Sequence, residues 1–174
     1  MKETSIHRLF LDFSSNKLRE LASRIDACLA KLTDDQVWAR GHENENAIGN
    51  LVLHVCGNVR QWIVSSIGGA PDSRQRDAEF AAHGGVSVTQ LRERVNVTIA
   101  EAVAVLEAVT VQRLPERMTI QGYDVSVLEA IYHVVEHFAM HTGQIIFVTK
   151  MLTGTDLGFY RHLSSPGAQG QKAH

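Results

Sequence analysis

The sequence has little of what marks a specialised chain. Its two cysteines, Cys28 and Cys56, are too few for a disulfide scaffold and too far apart for a metal-binding pair. Both fall in helix-like patterns and read as small buried hydrophobes. Charge of one sign is also missing. Seventeen basic residues face 19 acidic ones, a formal net charge of -2, and the signs interleave at Arg92, Glu93 and Arg94. Such a surface gives no electrostatic reason to expect a nucleic-acid partner. No apolar run reaches the roughly 20 residues of a membrane span. Charged and polar residues interrupt Met1 to Asn16, where a secretory leader would be apolar. The expectation is therefore a cytoplasmic protein with neither a membrane nor a nucleic-acid partner. A glycine-rich phosphate cradle, a nucleophile elbow and a recognisable triad around Ser65 or Ser87 are absent as well.

What is present is helix. At 174 residues, 44% of them hydrophobic and 21% charged, the chain has the composition of an ordinary globule and the length of one domain. Leu18, Leu21, Ile25, Cys28, Leu29 and Leu32 recur at three- and four-residue spacing and predict a first helix over about 9–32. A short turn with Val37 and Trp38 follows. A second helix is predicted from near Asn46 to Gly68-Gly69, with Ala47, Leu51, Val55 and Trp62 on its apolar stripe. The charged stretch 70–85 reads as a long surface connection with room for a short helix at 77–82. Ser87 with Gln90, and Ser126 with Glu129, are capping-box signatures that open the third and fourth helices. The third is expected to reach about Val109 or Val111, and the fourth to stop at Gly154. Between them, from Val111 to Asp124, the periodicity fails around Pro115 and Gly122, leaving room for a short strand pair. Four long helices predict an all-α four-helix bundle over residues 1–163, followed by a polar C-terminal tail over 164–174.

His133, His137 and His141 stand four apart on the fourth helix and so project from one side of it. At about 100° per residue, His137 and His141 fall within or beside the apolar stripe, whereas His133 lies nearer its polar margin. On the second helix, His54 and Asn58 share the inward stripe with Leu51 and Trp62. A bundle can bring such a histidine against a pair on a facing helix. Buried imidazoles need partners, and a zinc or nickel ion satisfies several together. Three neutral imidazoles leave a coordination position open, as in catalytic sites, for a water or an incoming thiol. Glu136 adjoins His137 but points about 100° away, so the H-E-x-x-H general base is missing. No catalytic residue beyond the metal ligands suggests itself. Asn58 and Gln144 are left to orient ligands or substrate, and His133 to act beside the site.

The segments NAIGNLVLHVCGNVRQWIVSSIGG, RQRDAEF and HVVEHFAMHTGQIIFVTKMLTG resemble the DinB-like superfamily, also called the YfiT-like metal-dependent hydrolases, and within it the DUF1572 branch. The resemblance implies an up-down-down-up bundle, commonly dimeric. It also implies a divalent metal held by one histidine of helix two and two of helix four, here His54, His137 and His141. Characterised relatives include transferases and isomerases that depend on low-molecular-weight thiols. The leading expectation is a thiol S-transferase acting on a small-molecule thiol and an electrophile, working as a homodimer. The alternatives are a hydrolase using metal-bound water and a non-enzymatic, stress-associated metal-binding dimer.

Overall fold

The computed structural model describes residues 5–163. The tail expected over 164–174 lies outside the described residues. Helix α1, Ile6–Leu29, starts a turn earlier than its apolar pattern because the Ser5 hydroxyl accepts from the Arg8 amide. It ends earlier too. Lys31 and Leu32 tighten the last turn by bonding to Cys28 and Leu29, and Thr33 then caps the short helix α2, Asp34–Val37, in a reciprocal box with Gln36. Helix α3, Ile48–Val59, runs on without a break into a π-helical segment, Arg60–Ile67. The Gly68 amide bonds to the Ile63 carbonyl, five residues back, and the wider turn lets Trp62, Ile63, Val64 and Ile67 all bury.

After a connection holding the short helix α4, Arg76–Ala81, come helix α5, Val88–Ala108, and a hairpin of strands β1, Arg117–Ile120, and β2, Tyr123–Ser126. The strands pair antiparallel, with Ile120 opposite Tyr123. The hairpin turns on Gln121 and Gly122, both at positive φ (52° and 83°), the backbone of a tight turn that matches strand twist. Helix α6, Val127–Thr153, begins directly at the end of β2, where Ser126 and Glu129 form the expected box. Gly154 closes it in the left-handed conformation.

Contacts between the long helices give their directions. Asp26, late in α1, pairs with Arg92, early in α5, and Arg19 pairs with Glu107 at the far end of α5, so these two run antiparallel. Arg60 pairs with Glu101, and Gly68 lies against Val105, so α3 and α5 run parallel. Trp62 stacks on His133 while the earlier His54 meets the later His137, so α3 and α6 run antiparallel. Arg24, near the end of α1, donates to Tyr160 just beyond α6, as parallel helices require. The result is the up-down-down-up bundle, predominantly helical with one small hairpin. A continuous core fills it, with Leu18, Ile25, Val52, Val55, Leu91, Leu106, Ile131, Phe138 and Ile145 buried. No helix among the described residues is long and apolar enough to cross a membrane.

Candidate metal centre

The antiparallel crossing of α3 and α6 brings His54 to His137 and His141. His54 is buried on α3; the other two are half-buried, one turn apart on α6. His137 Nε2 lies 3.2 Å from His54 Nε2 and 3.2 Å from His141 Nε2. One ligand atom from each ring lies within 4.8 Å of the other two. His133 is not part of this convergence. Its ring stacks between Trp62, at 4.1 Å, and His137, at 5.5 Å, and forms a wall.

Hydrogen bonding among the rings alone does not satisfy this arrangement. His141 Nδ1 lies 2.6 Å from the Gln144 side-chain oxygen, which can only accept, so the ring proton sits on Nδ1 and Nε2 is bare. One N–H on His137 cannot fully serve two neighbours, and the other ring nitrogen, His137 Nδ1, is buried without a protein partner. A cation at the shared point resolves the crowding of lone pairs. Nitrogens bonded tetrahedrally at about 2.0–2.1 Å to one zinc stand about 3.3 Å apart, close to the two observed separations. The donor set, neutral imidazole, also suits such an ion.

Electrostatics favour the neutral form of the imidazoles on α6. Burial, and then the neighbouring His141, His54 and His133, push the His137 pKa down to about 3. Burial also lowers His141, against the opposing hydrogen bond to Gln144, and lowers His133. Metal ligation requires the neutral form.

Of the surrounding residues named from sequence, Gln144 touches His141, while Asn58 is buried with its side-chain oxygen lacking a protein partner. Sequence reasoning missed Glu79, Arg74 and Phe80. All three lie in the connection read as surface, yet Glu79 Oε2 is 3.1 Å from His54 Nδ1, and the Phe80 ring is 4.7 Å from the His54 ring. The one available signal was RQRDAEF itself, a motif too charged to read as an inward-facing helix. Tyr123, Tyr132 and Tyr160 are exposed. Arg60, paired with Glu101, lines a cleft of about 790 Å³ whose walls include Arg74 and Glu79 but none of the clustered histidines. Cys56 also borders that cleft, its thiol pushed up to about 12 by burial, which removes it as a ligand or nucleophile.

Residues 5–168 match the family described as "Protein of unknown function (DUF1572)". No curated protein matches the sequence. Solved structures share the fold. A conserved protein from Enterococcus faecalis is 14% identical with a TM-score of 0.69, the match covering 88% of this chain and all of that one. A DinB-like protein from Bacillus subtilis is 18% identical with a TM-score of 0.66, over 84% and 96% of the two chains. A histidine-to-alanine mutant of a mycothiol-dependent maleylpyruvate isomerase is 15% identical with a TM-score of 0.61, over 84% and 70%.

Proposed function

The chain belongs to the DUF1572 family, within the DinB-like superfamily, and on that premise we propose that it is a metal-dependent thiol S-transferase acting on a low-molecular-weight thiol and an electrophile. The observation that carries this reading is the meeting of three imidazole nitrogens from two helices at one half-buried point. His54, His137 and His141 are the proposed ligands, and zinc or nickel the proposed ion. When bound, such an ion supplies a Lewis acid with a free position that lowers the pKa of an incoming thiol. The chain's own residues do the rest. Burial holds His137 neutral, Gln144 orients His141, and the Trp62–His133 stack and Phe80 limit water around the rings. The mycothiol-dependent isomerase with this fold supports thiol chemistry over other uses of the site. A reducing compartment, the cytoplasm, suits both that chemistry and two free cysteines.

The hydrolase alternative needs a general base for water. The carboxylate that touches the cluster, Glu79, is already engaged by Arg74 and His54, which disfavours it for that task. We also place a second copy of the chain against the outer face of α6, where Tyr132, Met140, Phe147 and Met151 are exposed at helical spacing.

The test is metal analysis of untagged protein, followed by conjugation assays of model electrophiles with glutathione, bacillithiol and mycothiol. Near-stoichiometric zinc or nickel is expected in the native protein and should vanish in the His54→Ala/His137→Ala/His141→Ala variant. Full retention of metal in that variant would remove the site. A loaded protein inert with every thiol yet active on esters or amides would make it a hydrolase.

A further inference from the structure

Helix α4 has six residues and no fully buried apolar side chain, its one large apolar group being the half-buried Phe80, so apolar packing does little to hold it to the bundle. Polar fasteners do. Asn50, fully buried one turn before His54, donates from Nδ2 to the Glu79 carbonyl at 2.9 Å and the Ala82 carbonyl at 2.8 Å. Its Oδ1 accepts from the Ala47 amide at 3.0 Å and from Arg40 Nη2 at 2.8 Å, and Arg40 Nη2 also reaches the Ala82 carbonyl at 2.8 Å. These bonds set where the Glu79 side chain starts.

A second set of contacts decides where it ends. Arg74 clamps Glu79 with two donors, Nε to Oε1 at 2.8 Å and Nη2 to Oε2 at 2.9 Å. The pair is almost enclosed, the side chains only 4% and 11% exposed. It lies directly on the α3 backbone at Gly57. A Cβ there would stand 1.9 Å from Glu79 Oε1 and 2.9 Å from Arg74 Nε. An arginine gripping both carboxylate oxygens in so enclosed a place requires the charged partner, so Glu79 is ionised. An ionised carboxylate only accepts. The atom it faces, His54 Nδ1, must therefore carry the ring proton. Arg74 Nη2, 3.2 Å from the same Nδ1, is a donor that a bare Nδ1 would accept from, but its two hydrogens already have Glu79 Oε2 at 2.9 Å and the His54 carbonyl at 3.5 Å, whereas the carboxylate facing Nδ1 needs a proton there.

We propose that Glu79, clamped by Arg74 on the Gly57 shelf, is the positioning residue for His54: it holds the ring in its Nδ1–H tautomer and aims the bare Nε2 at the point shared with His137 and His141. A plain tether between connection and bundle needs only the Asn50 bonds and the reach of Arg74 to the Gln61 side chain. It does not need the carboxylate turned onto the one imidazole nitrogen that faces away from the cluster. The tautomer holds with or without a metal; its consequence for affinity rests on the metal-centre reading and follows the general behaviour of carboxylate–histidine pairs behind metal sites.

The test uses the full chain, stripped of metal and labelled with nitrogen-15, at mildly alkaline pH where imidazoles are neutral. Two-bond proton–nitrogen correlation spectra report the tautomer of each ring. Removing Glu79 alone strands a buried arginine, so the main variant is Arg74→Leu/Glu79→Leu, which drops both charges together and is the one expected to fold. Glu79→Gln is the near-isosteric companion. The native protein is expected to show His54 as Nδ1–H and the double variant as mainly Nε2–H, with unchanged helix content. Zinc titration should read about 10- to 100-fold weaker binding in the double variant. A native His54 in the Nε2–H form, or a double variant still in the Nδ1–H form, would overturn the proposal. So would zinc affinity equal in both proteins. Native protein that fails to bind zinc or nickel at all would instead sink the metal-centre reading, and the tautomer result would still decide the role of Glu79.

Discussion

His137 makes contact with both other rings of the cluster, and its chemistry is set by what surrounds it rather than by its place in the sequence. Its pKa is about 3 in the fold, against an ordinary 6.5. The unfolded chain therefore takes up this proton first as pH falls. The site's contribution to stability is complete above about pH 6.5 and is lost as pH drops from there toward 3. Denaturation of metal-free protein between neutral pH and about pH 5 should show this loss, in a window above the titration of most carboxylates. In His137→Leu the slope should be visibly shallower; an unchanged slope would assign the acid sensitivity elsewhere. The histidine row and the inward His54 were legible because imidazoles at four-residue spacing on an apolar stripe break the pattern around them. Glu79 was not, because a carboxylate in a charged connection looks like any solvated acid until its partners are known.

At the level of elements, the starts of the helices were the readable part. Ser87 and Ser126 cap α5 and α6 as their spacing to Gln90 and Glu129 predicts, since a capping box is a local exchange of two hydrogen bonds. Ser126→Ala should cost about 1 kcal/mol, measured by equilibrium denaturation. Glu129 would then lose its reciprocal partner, but the histidines lie two or more turns further on, so zinc affinity of the folded variant should stay within a few-fold. A large loss of affinity would show that the hairpin-to-helix junction transmits to the site. The π-helical turn of Arg60–Ile67 left no such mark. It follows from burying Trp62, Ile63, Val64 and Ile67 together against neighbours distant in sequence. Helix α4 was foreseen as a short helix at 77–82, but its docking was hidden, for its anchors, Asn50 and Arg40, are polar and lie some 30 to 40 residues away.

For the whole molecule, the parallel run of α3 beside α5 explains the long connection between them, because parallel neighbours cannot be joined by a short turn. The chain uses that length to lay Arg74, Glu79 and Phe80 against the cluster. On the outside of α6, Phe147 is 64% and Met151 70% exposed. If a second copy covers this face, as proposed, Phe147→Glu/Met151→Glu should convert a dimer to a monomer in sedimentation velocity with little change in helix content. A native protein that already sediments as a monomer would refute the arrangement.

Local interactions and repeating patterns were enough, in the sequence by itself, to determine four long helices, the caps of two of them, an irregular gap suited to a hairpin and a set of inward histidines. These depend on residues within about one or two helical turns of each other, where side-chain direction follows from spacing. Only the tertiary structure decided that three Nε2 atoms meet, that His133 becomes a stacked wall, and that a charged connection supplies the carboxylate behind His54. Those outcomes rest on the crossing of α3 with α6 and on a buried polar clamp between distant segments, neither of which has a periodic signature.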